Sequence, residues 1–184
     1  MSGDPVREPF SLGPMPAAAR MVTVDRRLVR ASLDAIFALA RDVERWPDLL
    51  PHYRHVRFLT RATDGGGVVE MSAVRPFGAL KWPTRWVSEM QVHGGGRDLP
   101  WIRYRHVRGV TRGMDVVWEF SPEPEGTMTT ILHMWNGPAW PGIGGVAATA
   151  VIGPVFVHGI ASRTLAGLAG AAERAAEASV RSGT

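Results

Sequence analysis

The stretch GGVAATAVIGPVFVHGIASRTLAGLAGAAERAAEASV, residues 144–180, decides the fold. Ile152, Val155, Phe156, Ile160, Leu165, Leu168, Ala169 and Ala172 recur mostly at steps of three and four. That spacing gathers apolar side chains on one face of a helix. No charge occurs in the stretch before Arg163; Glu173, Arg174, Glu177 and Arg181 follow. The first half of the helix is therefore expected to be buried nearly all round, and the second half to be half-solvated. Between Met21 and Trp135 the pattern is mostly that of strands. An antiparallel sheet curled around one long helix buries both, and any function is expected in the space left between them.

Working outward, residues 136–143, Asn-Gly-Pro-Ala-Trp-Pro-Gly-Ile, form the loop that delivers the chain to the helix. Three strands precede it, over 101–108, 114–121 and 127–135, the last two joined by Glu125-Gly126. In 114–121, Asp115, Val117 and Glu119 share one face and Met114, Val116, Trp118 and Phe120 the other. The acidic face is expected to be wet, with Arg103 and Arg105 of the neighbouring strand pairing to those acids, which turns Ile102, Tyr104 and His106 inward. Strands over 53–63, 68–75 and 80–92 come before. In the last of these Trp82, Trp86 and Met90 lie on the face opposite Arg85 and Glu89. Gly65-Gly66-Gly67 and Gly94-Gly95-Gly96 are turns, expected to be mobile.

Further upstream, 21–30 reads as a first strand. Ser32 can cap a helix whose inner side holds Ala35, Ile36, Leu39 and Ala40. A second short turn, bounded by Pro47 and Pro51, carries Val43, Trp46, Leu49 and Leu50. Residues 1–19, with Pro5, Pro9, Pro14 and Pro16 among small and polar residues, read as a disordered tail. One domain over 20–182 remains, and 184 residues suffice for a core.

The net charge of +4 is scattered, and arginines alternate with acids, as in Arg41-Asp42-Val43-Glu44-Arg45. A nucleic-acid binder would cluster its arginines on one stripe, so nucleic acid is set aside as a partner. The absence of cysteine removes disulfides, thiolate metal sites and a thiol nucleophile. That composition, with no apolar signal region at the N-terminus, fits a cytoplasmic protein. Residues 126–162 carry no formal charge, but prolines and glycines interrupt them, so a buried helix fits better than a membrane span. Trp140 and Ile143 offer a patch for transient membrane contact. No metal site is expected: His52 and His55 lack a helical glutamate partner, and His106, His133 and His158 are dispersed. No phosphate loop, dinucleotide fingerprint or nucleophile elbow occurs, so no cofactor is expected.

The inner face instead concentrates Trp46, Met71, Trp86, Met90, Met114 and Trp118, with Phe156 from the long helix. Such a set fits a cavity for a hydrophobic small molecule, to which Tyr53, Tyr104, His106 and His158 would supply polar groups. Tryptophan and tyrosine give flat surfaces suited to a planar ligand.

The order strand, two short helices, six strands, long helix resembles the START-like helix-grip family, also called the polyketide cyclase/dehydrase and lipid-transport superfamily. The residues that carry the likeness are Ala35-Ile-Phe-Ala-Leu-Ala-Arg-Asp-Val-Glu-Arg-Trp-Pro-Asp-Leu-Leu-Pro-His-Tyr53, with a D-x-E-x-W-P core. Arg85-Trp-Val-Ser88 and the strand ending in Trp118-Glu-Phe120 resemble the aromatase/cyclase subgroup. The likeness spans about 20–180 and implies an α+β fold, a seven-stranded curved antiparallel sheet around the C-terminal helix. It implies Trp46, Tyr53 and Trp86 in a cavity wall. It also implies an inward arginine where this chain has Met90, and a thioether cannot stabilise an oxyanion. Three functions fit: binding of an aromatic-polyketide-, lipid- or isoprenoid-like molecule; a polyketide aromatase/cyclase or dehydratase with Tyr53, Tyr104 or His106 as acid or base; and docking of a partner through the long helix or the tail. Oligomeric state is not legible.

Overall fold

The structure, a computed structural model, describes residues 8–77, 80–137 and 157–182, and the side chains of all of these except 75–77 and 80–82. Seven strands form one antiparallel sheet: β1 (Met21–Val29), β2 (Tyr53–Arg61), β3 (Gly67–Phe77), β4 (Leu80–His93), β5 (Trp101–Gly109), β6 (Asp115–Glu123) and β7 (Gly126–Trp135). Their order is β1-β7-β6-β5-β4-β3-β2. β2 to β7 follow as a meander, and β1 closes the sheet by pairing with β7 from Met21↔Trp135 to Val29↔Thr127. Strand bounds agree with the sequence reading to within two residues, because each turn is marked by glycine or by a Pro/Glu-rich hairpin.

Between β1 and β2 lie α1 (Leu33–Arg41), a 3₁₀ turn (Val43–Arg45) and α2 (Trp46–Leu49). Ser32 caps α1 by accepting from Ala35 N, and the helix buries Ile36, Phe37 and Ala40. Phe37 meets Phe120 of β6 edge-on at 5.4 Å. Trp46 is fixed by its indole N–H, which donates to the Leu39 carbonyl at 3.1 Å.

The long helix, α3, runs His158–Ser182 and buries Ala161, Thr164, Leu165, Leu168, Ala169 and Ala172. These recur at the three- and four-residue steps expected of a buried stripe. Residues 144–156, read as its first half, lie outside the described residues, and Phe156, Trp140 and Ile143 with them. α3 packs on β1, α1 and α2. Gly167 permits the approach of α2: a Cβ there would lie 2.3 Å from Leu50 Cδ2.

The inward face of β6 is as the alternation requires, with Met114, Val116, Trp118 and Phe120 all buried. On the outer face Arg105 pairs with Asp115 at 2.8 Å. That face is not wet throughout, however, since Asp115 and Val117 are also buried. The cover comes from the Pro-rich segment. Leu12 is 3% exposed, its N–H lies 3.5 Å from Gln91 Oε1, and the Arg103 guanidinium donates to the Gly13 carbonyl. Gln91, Arg103 and Val117 are cross-strand neighbours, so the segment passes over this row. The reading of residues 1–19 as a disordered tail does not hold at Leu12 and Gly13: Leu12 is buried, and the backbone of both residues is hydrogen-bonded to side chains of the sheet. Residues 1–7 lie outside the described residues.

The two triple-glycine turns differ. Gly66 N–H donates to Asp64 Oδ1 at 2.9 Å, and Asp64 Oδ2 accepts from Val92 N–H of β4 at 2.8 Å. A Cβ on Gly66 would lie 2.2 Å from the Met90 carbonyl oxygen, and one on Gly67 2.1 Å from the Thr60 carbonyl oxygen. The first turn is thus pressed against two strands, contrary to the expected mobility. Around Gly94 and Gly96 an added Cβ would meet nothing within 4 Å.

Candidate functional site

α3 leans on the β1 side of the sheet and does not pack tightly on the inner face of β4 to β6. The space left is a cavity of about 90 Å³, counted as room for water-sized centres. One water needs about 10–15 Å³ by that measure, so this is a pocket rather than a packing defect. Strand alternation delivers Met71, Thr84, Trp86, Tyr104, His106, Trp118, Ile131 and His133 to it, α2 and β2 supply Trp46 and Tyr53, and α3 supplies Ile160, Ala161 and Thr164.

Five of the wall residues form a chain of rings. Trp118 lies 5.8 Å from Trp46, Trp46 5.2 Å from Tyr53, Tyr53 6.2 Å from Trp86, and Trp86 stacks at 6.0 Å and 24° on His106.

The polar groups are few and placed. His106 Nδ1 lies 2.7 Å from Thr111 Oγ1 in the β5–β6 turn. His133 Nδ1 lies 3.3 Å from Thr23 Oγ1. Thr164 donates to the Ile160 carbonyl at 2.8 Å, and its oxygen is 3.5 Å from Tyr53 Oη and 3.0 Å from His52 Nε2. Tyr104 Oη and Thr84 Oγ1 are buried with no hydrogen-bond partner. Burial lowers the His106 pKa to about 4. Burial, then the neighbouring His106 and His158, lowers that of His133 to about 3. Burial raises both tyrosines well above their ordinary range, Tyr104 with help from Tyr53 and Tyr53 against its contact with Thr164. At neutral pH all four are uncharged.

The structure brings together Trp46, Tyr53, Met71, Trp86, Tyr104, His106, Met114 and Trp118 in one wall. Met90 faces inward as expected but is not in that wall. It is fully buried in the core, opposite Tyr104 and Gly67, because the cavity lies toward the Thr84–Trp86 end of β4 and stops short of it. His158 is a second correction. Its Nδ1 lies 2.7 Å from the buried Asp25 Oδ1 and its side chain is 60% exposed, so it ties the start of α3 to β1 instead of lining the pocket. Burial raises the Asp25 pKa against the pull of that histidine. Thr84, Thr111, His133 and Thr164 were missed. Alternation in β7 placed His133 on the face of Ile131 and Trp135, a signal the sequence did carry. Among the described residues no three of His, Asp or Glu gather as a metal site, and no helix is long and apolar enough to cross a membrane.

Comparison with solved structures places the fold. The aromatase/cyclase ZhuI from Streptomyces sp. R1128 superposes with a TM-score of 0.68 at 18% identity, over 83% of this chain and 93% of that one. A START superfamily protein from Mycobacterium smegmatis gives 0.60 at 15% identity, over 83% and 97%. At these identities the likeness is one of fold, the START-like helix-grip. By sequence, a Streptomyces cyaneus protein named "Putative polyketide cyclase" is 31% identical over 101 residues, a stretch covering 54% of this chain and 62% of that relative's length. The family profile described as polyketide cyclase / dehydrase and lipid transport matches residues 29–156, well over half of the chain. The chain therefore belongs to the polyketide cyclase/dehydrase and lipid-transport family.

Proposed function

We propose that residues 20–182 act as one unit that binds an apolar, ring-bearing small molecule, of the kind an aromatic polyketide represents, in the cavity between sheet and α3. The observation that carries this reading is the ring wall Trp118–Trp46–Tyr53–Trp86–His106 facing a cavity with the buried, unpartnered Tyr104 hydroxyl. Stacking surfaces take the body of the ligand, and the hydroxyl donates to an oxygen on it. The test is titration with an anthracene-sized polycycle followed by tryptophan fluorescence. Saturable one-to-one quenching that Trp86→Ala weakens is expected; quenching that never saturates would refute the reading.

A second reading, cyclisation or dehydration of a poly-β-ketone, is favoured by His106. Held by Thr111 and neutral above about pH 4, its imidazole is a base in the same wall as the Tyr104 hydroxyl. The position where the resembled aromatase/cyclases carry arginine is the buried Met90, so the fixed cation is not supplied there. An assay with a poly-β-ketone thioester tests this reading. Turnover that His106→Gln abolishes, with an acid limb near pH 4 in the wild type, supports it. Turnover indifferent to His106→Gln rejects it.

A further inference from the structure

The geometry assigns a charge preference to the cavity: we infer that its occupant is an uncharged molecule bearing a hydrogen-bond acceptor, and that the matching carboxylate or ammonium compound is refused. This rests on the ligand-cavity reading above and narrows its substrate class.

Four observations converge. No described residue of the wall is Arg, Lys, Asp or Glu. Residues 136–157, which join β7 to α3, contain no ionisable side chain at all. Two arginines that flank wall residues in sequence are paired on the outer face: Arg85 with Glu70 and Arg105 with Asp115. The ionisable groups that do line the cavity, Tyr53, Tyr104, His106 and His133, are all held in their neutral forms by burial. An anion or cation entering this space would give up its hydration with no opposite charge to meet it, which is strongly unfavourable. A carbonyl or hydroxyl gives up far less and gains the Tyr104 and Thr84 hydroxyls, which are otherwise buried and unpaired. The product of a thioester hydrolysed to its free acid would on this account leave the cavity, whereas a neutral ketone, phenol or ester would stay.

A matched set of probes with one ring system tests this at pH 7.5: 9-anthracenemethanol, 9-anthracenecarboxylate and protonated 9-(aminomethyl)anthracene, each titrated against the wild type. The alcohol should bind, and both charged compounds should bind about 100-fold more weakly or worse. Equal binding of the carboxylate or the amine overturns the charge preference while leaving the ligand reading intact. Binding of none of the three overturns both. Tyr104→Phe separates the hydroxyl from the shape of the wall: affinity for the alcohol should fall about tenfold and that for 9-methylanthracene should hold. An equal fall for both compounds would overturn the assigned hydrogen bond.

Discussion

His106 and His133 share a cavity wall, and both are kept neutral by burial, to about pH 4 and about pH 3. In the unfolded chain each titrates near 6.5. Between those values the unfolded state binds more protons than the folded one, so stability rises with pH there. It is fully present above about 6.5 and is lost as pH falls toward the folded values. Urea unfolding from pH 7.5 down to 4.5 should show that decline, and His133→Gln should flatten it. A decline unchanged in His133→Gln would mean that His133 is solvated in the fold. Trp118 is 4% exposed, with ring neighbours Trp46 and Phe120. Its loss as Trp118→Ala should cost about 3 kcal/mol, the low end for a buried tryptophan because one of its faces borders open space. Ligand affinity should fall with it, a pairing that equilibrium unfolding and titration on the same variant would check. A cost under 1 kcal/mol would place Trp118 outside the core.

Elements carried by alternation were legible; elements carried by a single contact were not. β4 could be oriented from Arg85 and Glu89 against Trp86 and Met90, since charges confined to one face of a strand mark its solvent side. The extent of the cavity along that face could not, because Trp86 and Met90 look alike in sequence and only the lean of α3 separates wall from core. Leu12 gave no periodic signal, yet it covers the outer face at Gln91 and Arg103. Deleting residues 2–18 removes that cover and should cost about 1–3 kcal/mol in urea unfolding, not the near-zero effect expected of a tail. The Gly65-Gly66-Gly67 turn was read as mobile from its composition, but the Asp64 carboxylate bridges it to Val92 of β4. Gly66→Ala would drive a methyl into the Met90 carbonyl, with an expected loss of about 1–3 kcal/mol. Amide exchange should show Val92 protected in the wild type and opened in Asp64→Ala, with the Gly94–Gly96 turn exchanging quickly in both. Fast exchange at Val92 in the wild type would restore the mobile reading.

The whole molecule sets rigidity and emptiness side by side. α3 is clamped to β1 by His158 and Asp25 and to α2 by the Gly167–Leu50 approach, and its Ala161 and Thr164 face open space across from Trp86 and Tyr104. Ala161 and Thr164 put small side chains at the cavity face of this alanine-rich helix, and that keeps the pocket open. A protein selected for stability alone would fill that space, since cavity filling commonly stabilises by about 0.5–2 kcal/mol. Ala161→Leu makes the exchange measurable. Ala161 is buried against the cavity, so the larger side chain should extend into the space without displacing backbone. Stability in urea should stay level or rise by about 1 kcal/mol, while affinity for the polycyclic alcohol should fall about tenfold or more because its volume is taken. A loss of both would mean that the leucine collides with the ring wall and that the space is smaller than its geometry indicates. Retention of full affinity would mean that the ligand sits elsewhere, and the helix-facing pocket would then be a relic of packing rather than a site.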